Sequence, residues 1–170
     1  MRKTYSGKWK PKYPEKYKGD TTKITYRSLW ERNTFRWIEK QPWVKWWNSE
    51  ETIIPYICST DNKPHRYFID LTIKTVTGKT VLVEIKPLAQ TMPPKRKNLN
   101  EALAYMKNTS KWKYAKRYCD DRAWKFEIWT EKTLEGFGIK TLAVKRKPSK
   151  AKQGKKTWKS FKRIKKKPYK

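Results

Sequence analysis

Asp70, Glu84 and Lys86 are the residues of this chain whose types and spacing can do chemistry. They stand in two runs rich in Val, Ile, Phe and Tyr, residues 67–73 and 81–87, separated by a break at Thr77-Gly78-Lys79. In strands this apolar, an acid or an amine is rare unless it is paired or holds a metal. Carboxylate oxygens suit a hard cation, Mg²⁺ or Mn²⁺ in its place, which binds through one or two carboxylates and keeps waters for reaction. Such an ion polarises a phosphate and lowers the pKa of a bound water. Lys86 would orient or deprotonate that water, or neutralise the charge that develops. The set therefore points to hydrolysis of a phosphodiester, with Asp70 and Glu84 as metal ligands.

These residues need a hairpin to position them. Two apolar runs around a Gly-bearing break read as antiparallel strands joined by a tight turn. Side chains alternate along a strand, so Glu84 and Lys86 share a face. Asp70 joins them only in one register. A two-residue turn at Thr77-Gly78 pairs Asp70 with Ile85, on the wrong face, whereas a three-residue turn at 76–78, with Gly78 supplying the positive φ, pairs it with Glu84. The three-residue turn is expected, and it brings opposed Cβ atoms to about 4.5–5.5 Å.

A third acid lies upstream. From Ser28 to Lys40 the chain reads as a helix that ends before Pro42. Ser28-x-x-Glu31 fits a capping box, which would occupy Glu31 locally. Yet Glu31, Phe35 and Ile38 also fall on one helical stripe, and a carboxylate on that stripe would face the sheet as a third acid of the metal site. Both readings stand, and the inward one is preferred.

The remaining segments carry fewer signals. Residues 1–24 interleave aromatics with lysines and prolines and read as an extended arm that packs its aromatics onto the domain. Residues 52–57 suggest a strand whose Pro55 argues for an edge position or an irregularity. Glu50 and Glu51, just before it, could reach the site, although a solvated turn is the simpler reading. Gln90 follows the Lys86 strand closely enough to contribute. Residues 99–121 read as a helix, bent near Asn108-Thr109-Ser110, with Leu99, Leu103, Met106, Trp112, Ala115 and Cys119 as core. Residues 124–129 read as a strand, Thr130 as the cap of a short helix, and 141–144 as a last strand. Cys58 and Cys119 are too few and too far apart for a zinc site and read as free core thiols. His65, the chain's one histidine, reads as a loop residue.

Length and charge bound the whole. A chain of 170 residues has room for one domain and one modest core. Lys and Arg number 44 against 15 acids, a formal charge of +29, and such a chain repels itself unless it meets a polyanion. Residues 145–170 hold 14 Lys and Arg and no acid, the composition of a disordered basic tail. The expected division is an arm at 1–24, a core domain at 25–144 and the tail at 145–170. No run approaches the ~18 apolar residues of a membrane span and the first ten residues lack a signal peptide's apolar core, so a soluble intracellular protein is expected.

Asp70 followed by Glu84-Ile85-Lys86 resembles the PD-(D/E)xK nuclease motif, with Ile69 where that motif often has Pro. Together with Glu31, Tyr26-Arg27-Ser28, Ile54-Pro55-Tyr56, Arg66-Tyr67-Phe68 and Lys111-Trp112-Lys113, the chain resembles the head-completion nucleases of large contractile-tailed bacteriophages. More distantly, it is similar to transposon endonucleases that cut the 5′ ends of mobile elements. The resemblance covers roughly residues 5–140. It implies an α/β, restriction-endonuclease-like core, a central mixed sheet flanked by helices, and Mg²⁺-dependent cleavage of double-stranded DNA. It implies, too, a place in virion assembly, in the host cytoplasm and then in the head or neck of the virion, with portal or neck proteins as partners.

Three functions compete on these residues. The first is a metal-dependent endonuclease in which Asp70, Glu84 and Glu31 serve the metals and Lys86 the nucleophile. The second is a non-catalytic head-assembly protein that binds DNA or a portal. The third, an RNA-binding protein of ribosomal type, explains the basic tail and leaves the Glu-x-Lys strand accidental. Intact acids favour the first, because a pure binder gains nothing from unpaired carboxylates in its core.

Overall fold

The computed structural model describes residues 5–94 and 98–141. Its elements, in chain order, begin with β1 (Gly7–Lys8), β2 (Thr25–Tyr26), α1 (Leu29–Ile38), β3 (Val44–Asn48), β4 (Ile53–Ile57) and β5 (Pro64–Phe68). They continue with β6 (Leu71–Thr75), β7 (Thr80–Ile85), α2 (Leu99–Asp120), β8 (Lys125–Trp129) and α3 (Glu131–Gly136). The central sheet runs β3-β6-β7-β8. β3, β6 and β7 pair antiparallel, and β8 pairs parallel to β7 after the α2 crossover, as a parallel neighbour requires. This is the mixed α/β, restriction-endonuclease-like core that the resemblance implied. Among the described residues no helix is long and apolar enough to cross a membrane.

The β6–β7 turn has the expected form. Leu71 pairs with Val83 and Lys74 with Thr80, the amide of Thr75 donates to the carbonyl of Lys79 at 2.9 Å, and residues 76–78 lie between them. Gly78 has φ 86°, a conformation a side chain would resist. The paired register ends at Leu71 and Val83, and Asp70 directly precedes it, outside the strand.

The first strand of that hairpin, however, is not the single run 67–73. β5 ends at Phe68 in a two-stranded ribbon with β4, and β6 begins at Leu71 in the central sheet. β3–β4 and β5–β6 form one long antiparallel pair that bends midway. At the bend Glu50 takes φ 57° and donates its amide to Ile69, whose own amide donates to the carbonyl of Thr52. A bend of this kind re-aims the side chains around it, and Asp70 stands in it. His65 is corrected with the same stroke: it lies in β5, not in a loop. Pro55 sits in β4, which among the described residues pairs with β5 alone, so its missing N–H faces no second strand there.

Alternation in β7 divides the core in two. Val83 and Ile85 join Phe35 and Ile38 of α1, Val44, Trp47, Leu71, Ile73, Trp129 and Leu134. Leu82 faces the other side with Ile54, Tyr56, Tyr67 and Ile69 of the bent ribbon and Ala115 and Cys119 of α2. From the N-terminal segment, Tyr17 is buried against Trp47 at a centroid distance of 4.9 Å, and Trp9 packs on the first cluster.

Two helical expectations are corrected. α2 runs unbroken from Leu99 to Asp120, and Leu99, Leu103 and Met106 are exposed rather than core. A helix of 22 residues is about 33 Å long, whereas strands of five or six residues span about 17–20 Å, so the first turns of α2 outrun the sheet. Thr130 stands at the N-cap of α3, but its hydroxyl makes no capping bond. The expected tail at 145–170 lies outside the described residues, as does all but Thr141 of the last expected strand.

Candidate active site

Glu84 is almost fully enclosed, at 2% exposure, on the central strand β7. A carboxylate there must be satisfied on both oxygens. Lys86 Nζ lies 3.0 Å from Oε1, and the buried hydroxyl of Tyr67 donates to Oε2 at 2.8 Å. Tyr67 comes from β5, across the bend, and burial followed by the Glu84 charge pushes its pKa far up, so it serves this bond as a donor at every working pH. Asp70 Oδ2 accepts the backbone amide of Ile85 at 2.7 Å. Its Oδ1 accepts no hydrogen bond among the described residues.

The electrostatics follow from this crowding. Burial, then the neighbouring Glu84 and the more distant Glu31, hold the Asp70 carboxyl well above the usual carboxylate range, against the Ile85 amide and Lys86. For Lys86 burial opposes the charge, but Glu84, Asp70 and Glu31 outweigh it and raise its pKa above the ordinary value. Lys86 is therefore an ammonium in this arrangement.

Glu31 fulfils the local reading without leaving the site's field. Ser28 Oγ accepts the amide of Glu31 at 3.1 Å and donates to Oε1 at 2.8 Å, while Oε2 accepts the Arg27 amide at 2.7 Å. This is a capping box whose acid reaches one residue further back than usual. Burial nonetheless raises the Glu31 pKa despite those bonds, with Glu50 adding to the rise. Its charge is felt by both Asp70 and Lys86.

The other candidates separate. Glu50 pairs with Arg27, Oε1 to Nε at 2.9 Å and Oε2 to Nη2 at 3.2 Å, and borders the site through Glu31. Glu51 is exposed beside Gly19. Gln90 is exposed in the short 3-10 turn Leu88–Gln90. Tyr67 and Arg27 are thus additions, while Glu50 was already a candidate in the sequence. Tyr67 was hidden because a tyrosine in an apolar strand reads as core.

The donor set fits a hard divalent cation. Asp70 and Glu84 converge at a point where like charge is costly without a positive partner, and Asp70 Oδ1 is uncommitted. Glu31 does not complete a close trio with them. Among the described residues, one group of three Cys, His, Asp or Glu side chains has all its ligand atoms within 4.8 Å of one another, and it is Cys58, Asp61 and His65.

A mixed sheet that places an acid opposite a Glu-x-Lys strand defines a nuclease-type α/β core. The family described as TnsA-like endonuclease N terminal matches residues 41–131. A head completion nuclease of Enterobacteria phage T4 is 42% identical over 146 residues, covering 80% of this chain and 97% of that protein. The chain belongs to the TnsA-like endonuclease family. Both likenesses that the sequence carried, to phage head-completion nucleases and to transposon endonucleases, are borne out. Asp70, Glu84 and Lys86 lie inside the family match and Glu31 precedes it.

Proposed function

We propose that this protein is a phage head-completion nuclease that hydrolyses phosphodiester bonds of double-stranded DNA with Mg²⁺, or Mn²⁺, held by Asp70 and Glu84 in a PD-(D/E)xK arrangement. The observation that carries this reading is the half-buried Asp70 beside the buried Glu84, with Lys86 against it. The name of the phage T4 relative supports the setting. When bound, the ion supplies a polarised phosphate and an acidified water.

The chain's own groups do the rest. Asp70 presents Oδ1 while Ile85 fixes Oδ2. Tyr67 holds Glu84 in one rotamer. Lys86, kept protonated by the three acids, donates to the phosphate or to its leaving oxygen and neutralises charge there, rather than taking a proton from water. Glu31 contributes the third carboxylate for the attacking water or a second ion. The positive surface and the basic 145–170 segment bring DNA in by neutralising phosphates. The packaged DNA or its end is the substrate before tail attachment, portal or neck proteins are the partners, and the protein acts in the host cytoplasm and stays in the virion head or neck.

One observation favours a second reading, a non-catalytic DNA- or portal-binding head protein: both oxygens of Glu84 and of Glu31 already have protein donors. Purified protein incubated with supercoiled and linear plasmid, in Mg²⁺ or in EDTA, separates the two. Metal-dependent nicking or end trimming is expected. Gel shifts without scission in Mg²⁺ and in Mn²⁺ would leave the second reading.

A further inference from the structure

We infer that the turn of the β4–β5 hairpin is a second metal site, in which Cys58, Asp61 and His65 bind a zinc-type divalent ion. Cys58 directly follows β4, Asp61 stands in the turn and His65 is in β5. The sulfur, a carboxylate oxygen and a ring nitrogen all lie within 4.8 Å of one another. His65 Nε2 and Asp61 Oδ2 are 2.9 Å apart. With metal–ligand bonds of about 2.0–2.3 Å, neighbouring atoms of a tetrahedral zinc shell are about 3.3–3.6 Å apart, so small side-chain rotations close the shell.

Each ligand already has a contact that orients it, as metal ligands need. Asp61 accepts the Lys63 amide on Oδ1 at 3.1 Å and leaves Oδ2 toward the imidazole. The His65 ring lies 5.7 Å from that of Tyr56, its partner across the ribbon. Cys58 Sγ is 3.1 Å from Thr60 Oγ1. The turn itself is closed by Cys58 N–H to Lys63 O at 3.0 Å and Asn62 N–H to Cys58 O at 2.8 Å. A surface His–Asp pair alone would contribute little, and it would give no reason for a thiol to complete the triangle.

The ligand types select the ion. Thiolate with imidazole suits zinc and is poor for Mg²⁺, so this site and the carboxylate site sort different metals. Three protein ligands leave a fourth position for water. Cys58 is buried while Asp61 and His65 are exposed, so the ion enters from solvent. The gain is to the exposed end of a two-stranded ribbon whose other end packs on α2. Two residues after His65 that ribbon presents Tyr67, the donor to Glu84. An ion at the turn would stiffen the strand that positions Glu84; this link to the active site rests on the nuclease reading, whereas the binding itself does not.

The test uses the full chain carrying Asp70→Asn and Glu84→Gln, stripped with EDTA and desalted, so that the carboxylate site cannot compete. Zn²⁺ titrated by calorimetry should bind one ion per chain, raise the melting temperature and resist competition by millimolar Mg²⁺. Co²⁺ in its place should show thiolate-to-metal charge-transfer absorption. Asp61→Asn and His65→Asn, both at exposed positions, should each weaken Zn²⁺ by at least about tenfold, the scale of losing even an outer partner of a ligand. No binding, or an unchanged isotherm in His65→Asn, would overturn the inference even if cleavage by the parent is established. Failure of cleavage by the unsubstituted parent, with the zinc isotherm intact, would overturn only the nuclease reading.

Discussion

The backbone amide of Ile85 donates to Oδ2 of Asp70 at 2.7 Å, so the residue that follows Glu84 pins the very carboxylate that Glu84 repels. Attraction to the backbone and repulsion between the side chains act on one acid. The bend at Ile69-Asp70 delivers Asp70 to that position, and β7 supplies both the amide and the opposing charge.

A pH dependence of stability follows. The folded-state pKa of Asp70 is raised by burial and by Glu84, so the folded chain holds a proton that the unfolded chain releases near ~4. Stability from this source is fully present below that value and is lost as pH rises through the raised one. Asp70→Asn keeps an acceptor for the Ile85 amide and removes the titration. In EDTA the variant should melt above the parent at pH 8, by about 2–4 °C for each kcal/mol in a chain of this size, and the gap should close toward pH 4. Melting curves across that range check it, and a gap that does not change with pH would contradict it.

Tyr67→Phe should destabilise by about 1–3 kcal/mol, because it leaves Oε2 of a buried carboxylate without its donor. In a cycle with Glu84→Gln, urea unfolding should show a coupling of about 0.5–3 kcal/mol. Additive losses would mean that the 2.8 Å bond does nothing for the fold.

Glu31→Gln should leave unfolding within about 1 kcal/mol of the parent, since an amide can accept from Arg27 N–H and donate to the Ser28 hydroxyl. Cleavage should nonetheless fall by about tenfold or more, because the charge acting on Asp70 and Lys86 is gone. Equal loss of stability and of rate would reduce Glu31 to a cap.

The legible and illegible parts of this molecule differ in range. The β6–β7 register and its three-residue turn are readable because alternation and the Gly78 turn are both local. The bend at Ile69-Asp70 is not, because no Gly or Pro marks it and the residue bonded to it, Glu50, lies some twenty residues away with a positive φ. Tyr67 is hidden for the same reason: its partner is set by how two sheets meet. In α2 the 3.6-residue period fixes a face but not how much of the helix the sheet covers, so Leu99, Leu103 and Met106 look like core and stand in solvent. Cys58 and His65 each look inert alone, and a hairpin turn brings them together.

The basic segment should govern affinity and not chemistry. Residues 145–170 hold 14 Lys and Arg, and each phosphate they neutralise contributes about −0.9 to the slope of log K against log salt. Deleting the segment should flatten that slope while metal-dependent cleavage persists at low salt. An unchanged slope would assign the segment to a protein partner.

The most direct test of the account is the rate of plasmid cleavage by Asp70→Asn and by Glu84→Gln at saturating Mg²⁺, with DNA binding measured alongside. Neutral amides are poor ligands for a hard cation, so both variants should bind DNA as the parent does and cleave at least about a hundredfold more slowly. Cleavage by both at the parent's rate would contradict the account, for Asp70 and Glu84 would then be structural acids and the reaction would belong elsewhere on the chain.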